Sequence, residues 1–76
     1  MATINITATD LTSDDSVDYE VKVSDEVLNL SNSEKRFLVW GVLAGNSWII
    51  DQDTEVEATI THGDPAAPIT QRIEDC

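Results

Sequence analysis

Apolar and polar residues alternate through both ends of the chain, and a uniformly apolar run interrupts them in the middle. From Thr3 to Thr9, Ile4, Ile6 and Ala8 take one face, and Thr3, Asn5, Thr7 and Thr9 take the other. A period of two with β-branched residues predicts a half-buried strand. Val17, Tyr19, Val21 and Val23 repeat the pattern against Asp18, Glu20 and Lys22. Val56, Ala58 and Ile60 do the same against Glu55, Glu57, Thr59 and Thr61. A last short edge strand is expected over Ile69 to Ile73, with Gln71 between the two isoleucines on one face. Residues 10–16 (DLTSDDS) and 51–53 (DQD) read as polar turns. His62-Gly63-Asp64-Pro65 punctuates the chain, and Pro65 and Pro68 keep that connection extended.

Two stretches leave the pattern open. Residues 24–33 (SDEVLNLSNS) fit one helical turn capped by Ser24, with Asp25 and Glu26 favourable at its start. They equally fit an irregular crossover that tucks Val27, Leu28 and Leu30 under the sheet. The other stretch is Phe37 to Ile50, FLVWGVLAGNSWII, which holds three of the four aromatic residues and around which the rest must fold. Ser31-Asn32-Ser33-Glu34 has capping-box spacing and Gly45-Asn46 suits a helix stop, so a helix over about 32–44 is possible. Against it, residues 37–44 are apolar on every side, with Gly41 in the middle. The preferred expectation is therefore a hairpin, a buried strand Arg36–Leu43 turning at Gly45-Asn46 into Trp48–Asp51. That gives an all-β fold: a small antiparallel sandwich or partly open barrel of five to six short strands. The alternative is α+β, with one helix at about 32–44.

Length makes the core a constraint. Seventy-six residues form a single small domain, 1–76. A chain of this size buries only about 60% of its unfolded surface. Disulfides, metals or association usually compensate. One cysteine, Cys76, cannot close an intrachain bridge, and one histidine with one cysteine cannot supply the four ligands of a structural zinc site. Association with itself or with a protein partner is left as the favoured compensation.

Charge narrows the partner. Fifteen acidic residues stand against four basic ones, a formal charge of −11. Such a field repels nucleic acid and anionic membranes, and it favours basic protein surfaces, cations or simple solvation. MATINITATD has neither a basic start nor an apolar core, so no export signal is expected, and synthesis is expected in the cytoplasm. Incorporation into a virus particle is compatible with that.

The chemistry offered is sparse. Asp51-Gln52-Asp53-Thr54-Glu55 opens like a calcium loop, but Val56 and His62 fill the places where glycine and glutamate are required. His62 stands alone as an imidazole, and Cys76 is an inert end or an exposed thiol. Lys35-Arg36 is the one basic pair, too small for nucleic-acid binding and suited to capping the sheet or pairing with acids. No catalytic residues, metal ligands or cofactor are assigned, and the chain reads as a non-enzyme.

The candidate contact residues are of two kinds. Trp40 and Trp48 are expected chiefly in the core, and either becomes an interface anchor if exposed. Asp18, Glu20, Glu55 and Glu57 point outward, and if their strands are neighbours they form a carboxylate array. Two functions follow. One is a structural or assembly module that docks on its own copies or on a larger lattice, such as a virion decoration or accessory subunit. The other is an acidic inhibitor that occupies a basic nucleic-acid-binding groove, similar to DNA-mimic proteins in charge density alone. A solvated domain adapted to high salt is a third, weaker reading.

Overall fold

The computed structural model describes residues 1–48 and 51–74. Among these residues, four strands form one open antiparallel sheet beside one α-helix. The strands are β1 (Ala2–Asp10), β2 (Ser16–Val23), β3 (Thr54–Asp64) and β4 (Ala67–Arg72). A short 3₁₀ turn, Asp25–Asn29, and the helix α1, Asn32–Gly45, lie between β2 and β3.

The three alternating segments form strands, as their period demands. β1 is central: it pairs antiparallel with β2 on one side (Ile4 opposite Val21) and with β3 on the other (Ile4 opposite Ile60). The sheet order is therefore β2-β1-β3-β4. Both neighbours run against β1, so they run parallel to each other, and a hairpin turn cannot join them. Residues 24–53 supply the crossover. Val27 is buried within it, and the Ser24 hydroxyl caps the 3₁₀ turn by accepting from the Glu26 N–H.

The sandwich or barrel of five to six strands is corrected to one sheet of four strands plus a helix. The Arg36–Leu43 strand is helical instead. Its expected partner, Trp48–Asp51, includes residues 49–50, outside the described residues, as is Cys76. Local capping outweighs the glycine penalty here. Ser31 Oγ accepts from the Glu34 N–H, and Glu34 Oε1 accepts from the Ser31 N–H, both at 3.2 Å, so two orphan donors are satisfied reciprocally. The other end closes in a Schellman motif. The Ser47 N–H donates to Ala44 O and the Trp48 N–H to Leu43 O, with Ser47 at φ 65°. The stop thus falls at Asn46-Ser47, just beyond the expected Gly45-Asn46.

The core lies between one sheet face and α1. β1 contributes Ile4, Ile6 and Ala8, β3 contributes Val56, Ala58 and Ile60, and the helix contributes Val39 and Leu43. Ile73 joins them, its N–H donating to Ala58 O at 2.9 Å. The helix start is tied to this last segment. Asn32 Nδ2 donates to Glu74 O at 2.8 Å, and the Glu74 N–H donates to Asn32 Oδ1 at 3.0 Å.

Candidate functional site

Two surfaces stand out by what they leave in water, the outer side of α1 and the uncovered face of the sheet. On α1, burial of Val39 and Leu43 fixes which side meets the core. The opposite side holds Phe37, Leu38, Gly41, Ala44 and Gly45, all exposed. Phe37 is 67% exposed and Leu38 41%; Leu11 and Ile69 are exposed as well, but on other elements, whereas Phe37 and Leu38 adjoin on one helix. Burying Phe37 would withdraw about 130 Å² of the ~200 Å² an aromatic side chain can bury.

Phe37 has an aromatic neighbour on its own helix. Its ring meets Trp40 edge-on, with centroids 5.7 Å apart and planes at 85°. The Arg36 guanidinium lies 5.8 Å from the Trp40 centroid, and Arg36 also donates to Ser33 Oγ. Arg36 is thus stacked along the helix, in place of the expected sheet cap or acidic pairing. Beyond this cluster, Gly41 and Gly45 leave the helix backbone open, since a Cβ on either would meet nothing within 4 Å.

The two tryptophans are not brought onto one surface. Both are half-buried and packed against the core. Trp40 borders the exposed helix face through Phe37. Trp48, placed by the Schellman turn, lines a shallow hollow of 360 Å³ with Asp10, Asp15, Asn46, Ser47, Asp51 and Thr54. Sequence reasoning passed over Phe37 and Leu38 as contact residues. The available signal was the all-round apolar run itself. A short helix with only one side against a sheet must leave apolar residues in water.

The sheet's uncovered face carries the four predicted carboxylates together. The register sets Asp18, Thr7 and Glu57 in one row across β2, β1 and β3, and Ser16, Thr9 and Glu55 in the next. Glu20 lies in the row of Asn5 and Thr59, which Arg72 extends on β4. The condition that the acidic strands be neighbours is not met: β1 lies between them, so Asp18 and Glu57 stand about 10 Å apart, two strand spacings. Thr7 Oγ1 fills part of the gap by donating to Asp18 Oδ1 at 2.7 Å. Lys22, opposite Thr3, and Arg72 place positive charge at the other end of this face.

Comparison with known protein families, curated proteins and solved structures returns no match.

The remaining candidates for chemistry stay apart. Asp51 turns back on its own loop, its Oδ1 accepting from the Asp53 N–H at 2.9 Å and from the Thr54 hydroxyl at 3.2 Å. His62 is half-buried on the helix side of β3, opposite Ile69, and its Nε2 is buried without a hydrogen-bond partner. Among the described residues, no three His, Cys, Asp or Glu side chains are grouped to hold a metal ion. No helix among them is long and apolar enough to cross a membrane.

Proposed function

We propose that this chain is a non-catalytic assembly module that docks on copies of itself or on a larger protein lattice through the outer side of α1. A virus shell is one lattice of this kind. The observation that carries the proposal is the exposed Phe37–Leu38 pair beside an open glycine backbone. Covering Phe37 alone is worth about 3 kcal/mol at ~25 cal/mol per Å². The thin core adds support: among the described residues the buried set is wholly aliphatic, and both tryptophans are half-buried. Trp40, whose ring meets that of Phe37, belongs to this docking surface, and Trp48 lies beyond its far end.

A second reading rests on the sheet's uncovered face, where Asp18, Glu20, Glu55 and Glu57 point the same way. Such an array suits a basic nucleic-acid-binding groove on another protein. The uncharged β1 column and the positive end at Lys22 and Arg72 make it the weaker of the two.

Salt separates the two. Sedimentation of the purified chain, alone and with a basic DNA-binding protein, should show association through an apolar face that persists or strengthens as salt rises. Phe37→Glu should weaken that association. Binding to the basic protein alone, abolished by salt and untouched by Phe37→Glu, would put the acidic-inhibitor reading first.

A further inference from the structure

Resting on the assembly reading above, we infer that the partner for the outer face of α1 is a second copy of this chain. It packs antiparallel about a two-fold axis through Gly41. The exposed positions 37, 38, 41, 44 and 45 are symmetric about 41, lying three and four residues to either side of it. The bulk is not symmetric: Phe37 and Leu38 lie before the axis, Ala44 and Gly45 after it. An antiparallel partner reverses that order. Phe37 of one copy then faces Gly45 of the other, Leu38 faces Ala44, and the two Gly41 residues meet on the axis. Each large side chain is offered a small one, twice over, which is the self-complementarity an isologous interface requires. The open space above Gly45 receives the other copy's Phe37, and the bare Gly41 pair on the axis lets the two backbones approach closely.

The charge of α1 does not oppose the pairing, with Lys35 and Arg36 flanking the core side of the helix and lying off the face of residues 37, 38, 41, 44 and 45. A chain at −11 repels its own copies over most orientations, yet α1 carries Lys35 and Arg36 against a single acid, Glu34. Two of the four basic residues therefore sit on the helix that would meet its twin. Antiparallel helices also set each positive helix end beside a negative one. Area sets the strength. Two faces of a 14-residue helix, about 21 Å long, bury on the order of 600 Å² in all, half of the ~1,200 Å² at the lower bound for stable complexes. The dimer is accordingly a weak one, forming at high micromolar concentration and favoured by salt, which screens the repulsion.

The test is sedimentation equilibrium of the full chain from micromolar to millimolar concentration at high salt, with circular dichroism to confirm folding. Gly41→Leu places two side chains on the axis and should raise the dimer dissociation constant at least about tenfold. Gly45→Phe should do the same by setting ring against ring. The double variant Phe37→Ala/Gly45→Phe restores a large residue opposite a small one and should recover dimerisation. A wild-type chain that stays monomeric to millimolar concentration overturns the inference and leaves the docking face to a different partner. A dimer indifferent to all three variants overturns both the inference and the docking role of α1.

Discussion

Gly41 sets stability against association, and replacing it with alanine measures the first term alone. The residue sits mid-helix in α1, with Phe37 a turn before it and Gly45 a turn after. An added Cβ meets nothing within 4 Å, so the substitution introduces no clash and no new packing. What remains is backbone entropy, which makes glycine about 0.8–1.0 kcal/mol less favourable than alanine in a helix interior. Much of that gain comes from restricting the unfolded chain. For a domain of this size, about 1 kcal/mol corresponds to a melting temperature higher by ~4–8 °C. Thermal and urea unfolding, followed by circular dichroism at low micromolar concentration, reads the monomer without the dimer. The expected result is a Gly41→Ala midpoint above wild type with an unchanged urea m-value. An unchanged or lower midpoint would refute the reasoning, because the site would then be either non-helical or already covered. Self-association should move the opposite way at millimolar concentration, since even a methyl group on the axis separates the helices.

Two further outcomes follow from the same geometry. Ser47→Gly should stabilise the fold by about 1 kcal/mol, because Ser47 holds φ 65° at the end of α1 and a left-handed non-glycine residue costs ~1–2 kcal/mol; equal urea midpoints for the two chains would contradict the Schellman ending. Leu43→Ala empties a fully buried position where the helix meets the sheet, and should cost about 2–5 kcal/mol, enough to leave much of the chain unfolded in a thermal melt near room temperature. A loss below ~1 kcal/mol would mean that α1 is not seated through Leu43.

The strands were legible because alternation is a local signal that tertiary structure seldom overrides. Ile4, Ile6 and Ala8 face the core, as do Val56, Ala58 and Ile60, and each partner face is polar as read. The central run defeated the same method, since a stretch apolar on every side has no period to measure. What decided it lay in single residues. Ser31 and Glu34 close the capping box, and the parallel relation of β2 to β3 demands a long crossover. The second fact depends on strand order, which no local pattern contains. The acidic face shows the same division. That Asp18, Glu20, Glu55 and Glu57 share a face follows from their alternation, whereas the β1 column between them follows only from pairing across the chain. Phe37 was hidden by the hairpin expectation, which put the whole run inside.

The position of β1 also governs how the chain must be made. Its β2 edge is covered after a short turn, but the β3 edge waits for residues 44 positions later at Asp10↔Thr54 and 58 later at Thr3↔Thr61. At a synthesis rate of ~5–20 residues per second, that edge stays open for roughly 2–12 s. During this interval the nascent hairpin offers unpaired N–H and C=O groups beside Ile4 and Ile6, on a strand that is interior once folding ends. Closing it requires ordering a long loop, a step expected to limit the folding rate. A strand paired on both sides in the finished molecule is thus paired on only one side while the chain is being made.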